Sequence, residues 1–209
     1  MGKKKNGHSL GRPKISEGKI STKELILKTA AQLFLENGYQ KVSIDDIATD
    51  AGLTKASVYY YFASKAELFK EVMITLMEQI QDNIAQLLGS DKPLHDRLFD
   101  VLIAHLKATL TIDLEGFIRE SKTSLSVEQV KEIKMAEENI FLRIEQAFTD
   151  AMEKGEIPQI NSKFAAHSYI ALTRVGNYKN SNGLTIFPNI EEAAANIMSV
   201  FWKGFFKEL

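Results

Sequence analysis

The chain of 209 residues contains no cysteine, only four prolines and a single tryptophan. Without thiols there can be no disulfide bridge, thiolate metal site or cysteine nucleophile, and the composition suits a reducing compartment. No apolar run approaches the roughly 20 residues needed to cross a bilayer as a helix. The first residues also lack the apolar block of a secretory signal. A soluble, cytoplasmic protein with no membrane partner is expected. The four histidines, His8, His95, His105 and His167, are dispersed; none forms a His-Glu-x-x-His pair, and neither a Gly-rich phosphate loop nor a nucleophile elbow is present. His95 and Asp96 are adjacent but would diverge on a helix. No metal site, cofactor or catalytic residue is assigned, and an α-helical enzyme is only a remote alternative. Internal repeats and convincing strand-like alternation are missing too, so the fold class expected is all-α.

What is present begins with residues 43–62. Ser43 followed three residues later by Asp46 can satisfy the orphan amides at a helix start, so a helix should open near Ile44. Ile44, Ile47, Ala48 and Ala51 form its apolar face, and Gly52 permits the positive φ of a tight turn. Thr54 can cap a second helix on which Val58 and Phe62 share one side. Lys55, Ser57, Tyr59, Tyr60 and Tyr61 spread over the remaining surface. Such a helix has little to bury and much to offer a groove lined with phosphates. Alone, the same segment is also consistent with a plain helical hairpin.

The flanks favour the first reading. Ser21 with Glu24 opens a helix carrying Ile26, Leu27, Ala30, Leu33 and Phe34, closed by Asn37-Gly38, and Ser64 with Glu67 opens another. Three short helices on short connections make the self-supporting unit that a helix-turn-helix requires.

From Ile26 through Ala30-Ala31, Leu33-Phe34, Gly38-Tyr39, Val42-Ser43, Ile47-Ala48, Ala51 to Lys55, and Val58 to Phe62, to Ser64-Lys65 and Glu67-Leu68, the chain resembles the TetR family of transcriptional regulators. The match covers roughly a fifth of the chain. Ala56 stands where the family often has Gly and Tyr61 where it often has His. Alanine is helix-compatible, and a tyrosine hydroxyl can still donate to phosphate.

Charge is segregated accordingly. Residues 1–65 hold 11 Lys and Arg against 6 Asp and Glu, a net of +5, which leaves −6 for the remainder of a chain at −1. Basic charge beside the reading helix raises affinity by counterion release. Residues 1–20 read as a disordered basic arm, with Arg12 and Lys14 as candidates for the minor groove. Residues 21–65 read as the helix-turn-helix domain and 66–209 as a larger helical domain for effector binding and dimerisation. The DNA-contact candidates are therefore Arg12, Lys14, Ser43, Thr54, Lys55, Ser57, Tyr59, Tyr60, Tyr61 and Lys65. Lys55 and Ser57 are assigned to base edges, Thr54 and Lys65 to phosphates, and the tyrosines to both phosphates and thymine methyls.

Downstream, the spacing predicts helices from Ser64 to about Leu88, from Pro93 to about Thr111, around Leu114 to Glu120, from Ser126 to Lys154-Gly155, from 162 to about 179, and from 190 to 209. The last is apolar over more than one face, which suggests burial against both its own core and a second subunit. Tyr169, Thr173, Ala194, Ile197, Met198, Phe201, Trp202 and Phe205 are the interface candidates. Met73, Met77, His105, Phe117, Arg119, Phe141, Tyr169, Asn177 and Tyr178 are candidates for an effector cavity, as aromatic or Met side chains, or polar ones stranded in apolar stretches. The resemblance implies a homodimer whose last two helices form a four-helix interface and which binds double-stranded DNA at a palindromic operator. It also implies repression released by a small apolar or amphipathic effector that reorients the helix after Ser64. A ligand-independent, architectural DNA-binding protein is the alternative.

Overall fold

A computed structural model describes residues 20–109 and 122–206. Its described residues form eight α-helices: α1 (Thr22–Asn37), α2 (Ile44–Asp50), α3 (Lys55–Tyr61), α4 (Lys65–Leu88), α5 (Leu94–Thr109), α6 (Val127–Glu153), α7 (Ser162–Gly176) and α8 (Ile190–Phe206), with a single 3-10 turn at Lys122–Ser124 ahead of α6. The only β pairing among them is an isolated bridge between Lys179 and Thr185. The basic arm with Arg12 and Lys14, the short helix around Leu114 to Glu120 with Phe117 and Arg119, and residues 207–209 lie outside the described residues.

Local signals place most helix starts. Ser21, Ser43 and Ser126 each accept a hydrogen bond from the backbone N–H of the residue three ahead, whose own side-chain oxygen accepts one from the serine N–H. Asn161 accepts from the Phe164 N–H to cap α7. Gly52, at φ 65, turns the chain between α2 and α3, a region that L side chains rarely enter. Two helices depart from the sequence expectation. The Ser64 hydroxyl accepts from the Glu67 N–H, but the Glu67 carboxylate turns away to Lys70 and Gln129, so α4 has half of a capping box. α7 stops at Gly176 rather than near 179. Asn177 leaves helical geometry there, and the Asn180 side chain organises a small turn by accepting from the Asn182 and Leu184 N–H groups.

Two cores result. The first is built from α1 to α4, with Ile26, Phe34, Tyr39, Ile47, Val58, Phe62, Leu68, Phe69, Met73 and Met77 inside it. Phe34, Tyr39 and Phe69 form its aromatic centre, with ring centroids 4.8–5.7 Å apart. The second holds the end of α4, α5, the C-terminal part of α6, α7 and α8 around Leu98, Leu102, Phe148, Tyr169 and Phe201. No break in packing falls at residue 65, because the first core continues along α4 to Met77 and takes in Ile133 of α6. α4 thus runs from one core to the other, with Leu88 in the second.

Candidate nucleic-acid interface

α3 buries one residue of its own, Val58, and its cap residue Phe62 closes the first core behind it. Everything else on the helix faces outward or sideways. Tyr59, Tyr60 and Tyr61 are exposed, Tyr60 by 83%, and the rings of Tyr60 and Tyr61 meet edge to face at 5.0 Å. Exposing three aromatic rings on a seven-residue helix forgoes burial that would otherwise favour folding. It also presents hydroxyl-tipped, rigid side chains to a groove.

The polar candidates are less available than the sequence suggests. Thr54 caps α3 by accepting from the Ser57 N–H, and the Thr54 and Ser57 hydroxyls lie 2.8 Å apart. The Ser43 hydroxyl donates to Asp46 at 2.7 Å while accepting from its N–H. These bonds hold the Asp46 carboxyl below the usual carboxylate range. Lys55 is drawn to Asp45 at the start of α2, 2.7 Å away, and the Asp45 hydrogen bond raises its pKa. Lys65 folds back over the Tyr39 ring at 4.3 Å and donates to the Gln40 carbonyl at 3.4 Å. Partial burial lowers its pKa, with Asp46 acting in the opposite sense. α3 is therefore a braced platform on which the tyrosines are the most projecting groups. Sequence reasoning missed Asp45 and Gln40, whose roles depend on pairing across helices.

A family model described as "Bacterial regulatory proteins, tetR family" matches residues 26–72, spanning α1 to the first turns of α4. Residues 26–72 thus carry the DNA-binding segment of the TetR family of transcriptional regulators. The uncharacterized HTH-type transcriptional regulator YhgD of Bacillus subtilis (strain 168) is 28% identical over 158 residues, which cover 73% of this chain and 83% of that protein. The biofilm operon icaADBC negative transcriptional regulator IcaR of Staphylococcus aureus (strain Newman) is 26% identical over 180 residues, 72% of this chain and 96% of its own. FadR from Bacillus subtilis, solved in complex with stearoyl-CoA, has a TM-score of 0.70 at 16% identity over 87% of this chain and 98% of that one, a likeness of fold. TetR-family members are regulators, not enzymes, and among the described residues no helix is long and apolar enough to cross a membrane.

The helices beyond this segment redistribute the remaining candidates. Met73 and Met77 are buried in the first core, packed among residues of α1 to α4, and not in the second. Tyr169 is buried in the second core and donates to the Leu98 carbonyl at 2.6 Å, and burial pushes its phenol pKa up. Phe141 stacks against His167 between α6 and α7, centroids 4.6 Å apart, and Tyr178 is exposed beyond the end of α7. Among the described residues, Asn177 meets α5 at Thr109. His105 and Thr109 are one turn apart on α5, and Asn177 donates to the Thr109 hydroxyl while its Oδ1 is buried without a partner among the described residues. His105 keeps exposed surface, yet enough protein crowds its ring for burial to lower its pKa. Among the described residues no three His, Asp or Glu side chains cluster to hold a metal ion.

The interface candidates need correction in phase. Tyr169, Thr173, Ala194, Ile197, Met198 and Phe201 are all buried within the subunit's own core, so a second copy cannot reach them. Trp202 and Phe205 are half-buried, Trp202 against His95 and Phe206, Phe205 against Phe164. The opposite face of α7 is exposed instead, with Phe164 near its start, Ala171 two turns on and Val175 one turn beyond that, His167 lying exposed between the first two, and Val200 projects from α8. Both α7 stripes are visible at helical spacing in the sequence. Which one faces inward depends on α5 and α8, which a single helix does not reveal.

Proposed function

We propose that this regulator is a repressor that binds a palindromic operator as a homodimer and is released by a small apolar or amphipathic effector. The observation that carries the DNA-binding part is α3, which buries Val58 and turns three tyrosines outward on a helix fixed by its own cap. Tyr60 is the central contact in this reading. Ser43, Thr54, Ser57, Lys55 and Lys65 contribute through groups that must partly exchange internal bonds for phosphate or base contacts. Arg12 and Lys14 belong to the basic arm and act in the minor groove.

Dimerisation is assigned to the exposed faces of α7 and α8, around Phe164, Ala171, Val175 and Val200. Apolar side chains exposed along one helix face are what a two-fold interface would cover. Pairing there gives two reading helices, which helix-turn-helix dimers set about 34–36 Å apart to meet successive major grooves. The effector reading is supported by the second helical core and by the fold likeness to FadR, whose solved complex holds stearoyl-CoA. His105, Thr109 and Asn177 would give such an effector its polar contacts.

Selection from a randomised duplex pool tests the proposal. A palindrome bound roughly 10³-fold or more tightly than random duplex is the expected result for a sequence-reading regulator. Equal affinity for all duplexes would instead favour an architectural DNA-binding protein.

A further inference from the structure

α4 is not the only attachment between the reading head and the rest of the molecule. Residues 124–133, the end of the 3-10 turn and the first two turns of α6, lie against the head at four points. Ile133 is buried in the head's own core, with Leu125 packed at its edge. The Gln40 amide, in the turn between α1 and α2, donates to the Ser124 hydroxyl at 3.2 Å. The Gln129 amide uses both ends: its oxygen accepts from the Ser126 N–H to close the α6 cap, and its nitrogen donates to Glu67 at 3.1 Å. Glu132 joins Glu67 and Glu71 around the buried Lys70 ammonium, at 2.9, 2.8 and 3.2 Å.

Two of these features are costly unless they position something. A lysine ammonium taken out of water loses hydration that only well-placed partners recover. Burial alone would lower the Lys70 pKa, but the three carboxylates outweigh it and hold the group firmly charged. Glu67, for its part, gives up half of the α4 capping box to reach Lys70 and Gln129. A helix joined to the head along one line leaves the head able to pivot about it, and a second attachment on another side removes that freedom. The far end of this attachment is close to the DNA face. Gln40 lies three residues before Ser43, and its carbonyl accepts from Lys65.

We infer that residues 124–133 form a strap that fixes the orientation of the reading head, with Gln129, Lys70, Glu132 and the Gln40–Ser124 pair as positioning residues for operator binding. The inference rests on the operator-binding function proposed above and adds a second hold on the head, made by α6 and the turn before it to the first turns of α4 at Glu67 and Lys70 and to the α1–α2 turn at Gln40. Gln129 permits a test that spares the α6 cap. Gln129→Glu keeps an acceptor for the Ser126 N–H but places a carboxylate against Glu67. Adding Glu67→Gln restores a donor and acceptor pair in reversed order, while Lys70 keeps Glu71 and Glu132.

The full-length variants are compared with wild type in three ways: affinity for the selected operator against random duplex, amide exchange over residues 39–46, and unfolding followed by Trp202 fluorescence. For Gln129→Glu the expected result is a loss of about tenfold in operator affinity, within the range of coupling typical between sites. Random-duplex affinity and Trp202-reported unfolding should stay unchanged, and exchange over 39–46 should accelerate. The double variant should recover both operator affinity and protection. Wild-type operator affinity and exchange in Gln129→Glu, or a double variant that recovers neither, would overturn the strap. If wild type prefers no duplex, the operator reading fails, and exchange alone then decides the strap: protection lost and regained supports it, and unchanged protection rejects it.

Discussion

α3 and α8 are both dense in aromatic residues, and the fold treats them in opposite ways. α3 buries only Val58 and leaves Tyr59, Tyr60 and Tyr61 exposed, whereas α8 buries Ala193, Ala194, Ile197, Met198 and Phe201 and half-buries Trp202, Phe205 and Phe206. The side chains themselves account for this. Each α3 ring ends in a hydroxyl that water or phosphate can satisfy, while the α8 phenylalanines have only apolar surface to offer. Aromatic density by itself therefore says little about interfaces; the polar tip and the phase of the helix say more.

The contrast is broken most severely by truncation. Phe201→Ala removes a fully buried ring from the second core, and a loss of about 3–5 kcal/mol is expected from denaturant unfolding. Tyr60→Ala should alter the same measurement by no more than about 0.5 kcal/mol, as an exposed substitution. Equal destabilisation by the two variants would mean that α3 is structural. Next in size is Val175→Glu on the exposed face of α7. Dimer dissociation measured by sedimentation should be weakened by about 2–4 kcal/mol if this side chain sits centrally in the interface, with the monomer still folded. An unchanged dissociation constant would move the dimer surface elsewhere.

How far the sequence foretold these features depends on the range of the interactions behind them. The boxes at Ser21–Glu24, Ser43–Asp46 and Ser126–Gln129 involve residues three apart, so the residue types alone announce them. The box expected at Ser64–Glu67 is only half made, because Glu67 turns to Lys70 one turn on and to Gln129, 62 residues away, a partner that no local pattern contains. Met73 and Met77 were reasonable cavity candidates by type, but α4 sends them into the reading-head core. Tyr169 and Thr173 share a stripe of α7 that its sequence does not distinguish from the opposite one, and only packing against α5 and α8 chooses between the sides. Residues 43–62 were readable because caps, turn and exposed face all lie within 20 consecutive positions.

Smaller effects sharpen the comparison. Tyr60→Ala should cost about 1–3 kcal/mol of operator affinity, the scale of a lost base-edge contact, and a folded variant that binds normally would displace Tyr60 from the centre of the interface. The smallest effect belongs to His105. Burial lowers its folded pKa below the ordinary imidazole value, so it is neutral in both states at higher pH and contributes no dependence there. As pH falls through the unfolded value near 6.5, the unfolded chain takes up a proton that the folded one resists. Stability should then decline, and His105→Gln should flatten that decline in melts between about pH 7 and pH 5; an unchanged slope would assign the acid sensitivity to other groups.

Glu67 bears on how separable the two halves are. Its carboxylate sits at the start of α4, where the first core continues, and is bonded both within that helix to Lys70 and across to Gln129 of α6. A reading head exchanged with that of a relative by cutting at residue 65 would carry Gln40 away from Ser124 and separate Val58 and Phe62 from Met73, Met77 and Ile133, with which they share a core. The exchangeable unit in this chain is discontinuous, comprising α1 to the middle of α4 together with residues 124–133. New operator specificity is therefore more simply introduced on the outer face of α3 than by transplanting whole heads.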